Sequence, residues 1–130
     1  MARAMAQAVD MQPYLNPHGF VDSDAATIRD VATTVTAGAR DERERERAIR
    51  IHDFVRDEVR FGWAPAFYEM SASAVLTAGI GYCNTKSTLF VALLRAAGLP
   101  ARQVFVDVSA RILDGLEADA GLWRAHRRPL

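Results

Sequence analysis

The sequence has one cysteine, Cys83, in 130 residues, so an internal disulfide is excluded. A lone thiol with histidines elsewhere fits a reducing compartment and makes a nucleophile worth considering. Lysine is equally scarce. Lys86 is the single lysine and the other fifteen basic residues are arginine, a bias without a physical account. Neither sign of charge is in excess, with sixteen basic and sixteen acidic residues. No net field points to nucleic acid or to an anionic membrane surface. No apolar run approaches the roughly 20 residues that span a bilayer. The opening MARAMAQAVDM has no apolar stretch of signal-peptide length, so the expected location is cytoplasmic. Three histidines, His18, His52 and His126, show no paired spacing of the His-x-x-x-His kind, so neither a metal nor a cofactor is expected.

What remains is ordinary globular composition, half hydrophobic and a quarter charged. A chain of this length buries roughly two-thirds of its unfolded surface and forms one domain. Residues 1–21 read as an irregular segment punctuated by Pro13, Asn16, Pro17 and Gly19. Asp22, Ser23 and Asp24 are N-cap types for a helix near 24–37, with Ile28, Val31 and Val35 at helical spacing. Residues 41–60 form the clearest helix, with Ala48, Ile51, Val55 and Val59 in one stripe and Phe54 beside it. Its Asp41–Arg45 and Glu46–Arg50 pairs are favourable i,i+4 ion pairs. The charge run reads as a solvated face rather than a partner surface.

A loop containing Gly62 and Pro65 follows, then a short helix capped by Ser71 or Ser73 and stopped by Gly79. From Cys83 to Ala97 the apolar pattern is helical again, with Leu89, Phe90, Leu93 and Leu94 on one face. Gly98 and Pro100 end it. Residues 102–108 alternate Val104, Val106 and Val108 with Gln103, Phe105 and Asp107, the pattern of a strand. Residues 117–130 show no sustained period. The core is thus expected over 22–116, with 117–130 an irregular tail.

Cys83 stands where a glycine-rich turn becomes a helix. First-turn N–H groups lack intrahelical acceptors and concentrate positive potential there, which favours a thiolate. Gly79 and Gly81 allow a sharp turn and room for a substrate chain. The Cys83 N–H can serve as one oxyanion donor. The plain alternative is a cysteine packed as a small hydrophobe.

The stretch from about Arg60 to Arg102 resembles the transglutaminase-like superfamily. The matching pieces are FVRDEVR at 54–60, RFGWAP at 60–65 and SASAVLTAGIGYCNTKSTLFVALLRAAGLPAR at 71–102. The resemblance implies an α+β, papain-like fold, with the cysteine helix packed on a small antiparallel sheet that is incomplete here. It implies acyl transfer from an amide through Cys83, to an amine or to water, and hence a peptide or protein amide as substrate. Trp63 is a candidate second oxyanion donor through its indole N–H, or packs under the helix; Tyr82 walls the cleft. Lys86 either supports the thiolate or is exposed.

The family also implies a histidine on a following strand and an aspartate on the next, and neither pattern appears. His126 is the one histidine after Cys83. It is the candidate base, but Arg124, Arg127 and Arg128 surround it, and an exposed tail histidine is the favoured reading. His52 reads as structural or exposed. Asp107 and Asp114 have no base to orient. A shifted frame or an early end accounts for the missing half. Two classes of function stay open: a thiol hydrolase or acyltransferase, impaired here, and a non-catalytic binding module or fragment. A thiol redox sensor is a third. An incomplete sheet leaves an edge at 102–108 open to self-association.

Overall fold

The computed structural model describes residues 8–39, 44–64, 66, 69–109 and 111. Four helices carry the architecture: α1 (Ala26–Val35), α2 (Glu44–Glu58), α3 (Ala72–Ala78) and α4 (Cys83–Ala96). Two strands of two residues, β1 (Arg60–Phe61) and β2 (Ile80–Gly81), complete an α+β arrangement. Helix α4 is central, and α1, α2 and α3 all pack on it. The core is drawn from the apolar stripes: Ile28 of α1, Ile51 of α2, Val59 after it, Val75 of α3 and Leu89 and Leu93 of α4 are all sealed from solvent. Burying each such side chain is worth about 1.5–3 kcal/mol. The predicted helices therefore appear at the predicted places, because each stripe finds the others.

The antiparallel sheet expected from the family resemblance is corrected. The strands pair in parallel, Arg60 with Ile80 and Phe61 with Gly81. Parallel pairing follows from the connection, since residues 62–79 form a crossover that contains α3. Runs of two residues carry no period-2 signal, so neither strand was legible in the sequence.

The strand expected over 102–108 does not form either. No backbone N–H or C=O from 102 to 108 makes a hydrogen bond among the described residues. Val104, Phe105, Val106 and Val108 are 65–74% exposed. Alternation is necessary for a half-buried strand, but a ladder needs a neighbour, and β1 and β2 lie elsewhere. The Asp41–Arg45 pair and the tail over 117–130 lie outside the described residues. Glu46 and Arg50 do approach, at 3.9 Å on the exposed face of α2.

Helix ends show which capping signals hold. Ser71 caps α3, its Oγ accepting from Ala74 N–H at 3.2 Å, and Gly79 closes that helix with φ 63°. At the end of α4, Leu99 N–H donates to Leu94 O and Gly98 N–H to Arg95 O, both at 2.9 Å, with Gly98 at φ 78°. That is the Schellman geometry that Gly98 promised. The Asp22–Asp24 cluster does not cap α1. The N-cap of α1 is Ala25, without a side-chain bond. Asp22 instead reaches α3, accepting from Ser73 N–H at 3.1 Å and from the Ser73 hydroxyl. A carboxylate at that helix start satisfies an orphan donor and faces the positive end of the dipole.

Asp22→Ala is expected to lower unfolding stability by about 1–2 kcal/mol, whereas Asp24→Ala changes it by less than about 0.5 kcal/mol. Urea denaturation of the two variants beside the parent chain checks the assignment. Equal losses would return the cap to α1.

Candidate functional site

Cys83 is the first residue of α4 and is exposed. The turn before it is set by close packing. A side chain at Gly81 would put its Cβ 2.8 Å from Thr85 Oγ1 and 3.2 Å from Val75 Cγ1. Gly81 is therefore required by the approach of α3 and α4, not by room for a substrate chain. Thr85 Oγ1 in turn accepts from Tyr82 N–H at 3.0 Å, fixing the entry to the helix. Lys86 N–H donates to Tyr82 O at 2.8 Å. The N–H of Cys83 has no hydrogen-bond acceptor among the described residues, as a first-turn donor should not.

Trp63 stacks on Tyr82, ring centroids 5.4 Å apart and planes 22° from parallel. It is half exposed. The two aromatic residues singled out by the sequence thus stack on one another, with Tyr82 immediately before Cys83.

Lys86 supplies a link that the sequence did not reveal. Its ammonium donates to Val59 O at 2.5 Å and lies 3.5 Å from Arg56 O. These carbonyls belong to the C-terminal end of α2, where unpaired acceptors and the negative dipole end attract a cation. At the far end, Arg47 donates to Ala97 O at 2.8 Å. The start of α4 is thereby tied to the end of α2, and the end of α4 to the start of α2.

Cys83 opens onto a depression of about 360 Å³ shared with His52, Val55, Arg56, Phe61, Lys86, Ser87 and Phe90. The structure therefore brings His52 to the thiol's side of the molecule, which its place on a charged helix had not suggested. Its ring does not serve the thiol directly. It lies edge-on to Phe90, centroids 5.9 Å apart, and its Nδ1 is 3.1 Å from Asp53 Oδ1. Phe90 follows Cys83 by seven residues, about 10 Å along a helix. Among the described residues no side chain hydrogen-bonds the Cys83 sulfur. The rim cation Arg56 is compensated, with Asp57 at 2.7 and 2.8 Å and Asp53 at 3.1 Å. Its guanidinium, hydrogen-bonded to Asp57, holds that carboxyl below the usual carboxylate range. His126 and Asp114 lie outside the described residues. Asp107 is exposed on the unpaired segment, and His18 lies in the N-terminal segment on another face of α4. No cluster of three metal-ligating side chains occurs among the described residues. No helix among them is long and apolar enough to cross a membrane.

The thiol stands at the head of a helix, behind a glycine turn and backed by a helical core. The profile of the transglutaminase-like superfamily matches residues 29–125, and the chain belongs to that superfamily. Among curated proteins and solved structures none matches.

Lys86→Met is expected to cost about 1–2 kcal/mol of stability through the exposed carbonyls at the end of α2. Lys86→Arg should recover part of it. Denaturant unfolding of both variants measures this, and an unaffected Lys86→Met midpoint would remove the clamp from the account.

Proposed function

We propose that Cys83 is the nucleophile of a transglutaminase-like thiol site whose chemistry is acyl transfer from a peptide or protein amide. The observation that carries this is the exposed Cys83 at the first position of α4, in a chain of this superfamily. The thiolate adds to the amide carbonyl, and the oxyanion forms beside the first-turn N–H of Cys83. Collapse breaks the C–N bond, a proton goes to the departing amine, and the thioester carbon then accepts an amine or water. The papain-like arrangement belongs to this reading, with Trp63 and Tyr82 as the cleft wall. Trp63 Nε1–H is the second candidate donor to the oxyanion.

The same reading makes the chain a poor catalyst. The leaving amine needs an acid, and the thiol needs a base. His52, the histidine that lines this depression among the described residues, is held against Phe90 and Asp53 and makes no hydrogen bond to the thiol among them. That observation also favours a second reading, a binding module that keeps the cleft without turnover.

The test combines alkylation with turnover. Cys83 should react with iodoacetamide near neutral pH faster than a cysteine in a short peptide, and Cys83→Ala should abolish labelling. Amide turnover should fall short of a complete thiol site by about 10²–10⁴-fold, the contribution of a positioned base. Assays on glutamine-containing and other peptides check this, with Cys83→Ala, His52→Ala and His126→Ala as controls. Brisk turnover lost in Cys83→Ala and in either histidine variant would show that a base is in place and refute the impairment.

A further inference from the structure

On another face of α4 lies a larger groove, about 680 Å³, bounded by the N-terminal segment on one side and residues 102–105 on the other. Val91 forms its apolar floor, and Tyr14, His18, Arg95, Arg102 and Phe105 stand among its walls. No carboxylate lines it among the described residues. Neither guanidinium has an acidic partner among the described residues. Arg95 spends its donors on neutral carbonyls, Nε on Ala101 O at 2.9 Å and Nη1 on Asn16 O at 2.6 Å. Arg102 rests over the Tyr14 ring at 6.0 Å and is exposed.

The groove has a second property, independent of its charge. Its wall at 102–105 begins the segment 102–108, whose backbone donors and acceptors find no partner among the described residues. The segment is also held in place. Arg95 fixes Ala101, and Gln103 Nε2 donates to Thr88 Oγ1 at 3.1 Å and to Asn84 O at 3.2 Å. The chain thus runs back along α4 from the level of Arg95 to that of Asn84, the residue next to Cys83.

We propose that this groove binds an extended acidic polypeptide segment, which adds as a strand along 102–106 and places carboxylates against Arg95 and Arg102. Main-chain pairing supplies affinity in such strand addition, and side-chain pockets supply selectivity. The two guanidiniums, which meet no carboxylate among the described residues, select carboxylates. Arg102, which makes no hydrogen bond among those residues, can take one in bidentate fashion. Arg95 adds its charge, while Phe105 and Val91 receive the intervening apolar side chains. The site is separate from the Cys83 depression and does not depend on acyl transfer.

The probe is a fluorescein-labelled peptide alternating glutamate with valine, read by anisotropy against the full chain, beside a counterpart with lysine for glutamate. The acidic peptide should bind, the basic one should not, and added salt should weaken binding. Arg102→Glu should weaken it at least about tenfold, with an unchanged circular dichroism spectrum and melting temperature. Arg102→Lys should retain part of the affinity. Equal binding of the two peptides, no binding of either, or an unaffected Arg102→Glu overturns the proposal. So does a dimer, seen by sedimentation, that the acidic peptide fails to dissociate, because a second copy would then occupy the edge.

Discussion

Helix α4 is clamped at both ends to α2, and the rest of the structure is arranged around that pair. Lys86 holds the start of α4 to the carbonyls that end α2, and Arg47 near the start of α2 holds Ala97 at the end of α4. Two side chains of like sign thus act at opposite ends of the bundle, each at a helix C-terminus where unpaired carbonyls and the dipole favour a cation. Between the clamps Leu89 and Leu93 are sealed against Ile51, Val55 and Ile28. The antiparallel setting leaves the end of α2 beside the start of α4. The two-strand parallel ladder then forms there, with Arg60 N–H on Gly79 O and Gly62 N–H on Gly81 O.

The site inherits its character from that junction. Cys83 is presented at the surface because its helix begins at the bundle's edge, and Gly81 lets α3 and α4 close behind it. Lys86, one turn further on, is drawn toward α2 and not toward the thiol. Arg56 on the rim is balanced by Asp53 and Asp57. His52 shares the depression, yet its contact with Phe90 turns it into part of the wall.

The same helix carries an unfinished face. Arg95 and Gln103 hold 101–103 beside α4, and from there the chain continues extended without a ladder. The alternation of valines suits a pleated sheet, but a strand is a property of two segments, and none forms over 102–108. The Asp22 cap failed in the same way. The sequence presents an N-cap type just ahead of α1, whereas the carboxylate serves Ser73, fifty-one residues on. Propensity reports what a residue can do locally; which partner it meets is settled by packing.

The sequence by itself determined the four helices, a serine cap on α3 at Ser71 or Ser73, the Gly98 stop and the position of Cys83 at the head of α4. These rest on interactions within a few residues, where periodicity and capping chemistry are decisive. Tertiary structure alone decided the parallel pairing of β1 with β2, the meeting of Lys86 with Val59 and the placement of His52 near Cys83. It also decided that residues 102–108 find no backbone partner among the described residues. Each of these depends on contacts between segments far apart in the chain, formed when buried stripes bring α2, α3 and α4 together. No local pattern encodes which distant carbonyl, carboxylate or ring will then lie within reach.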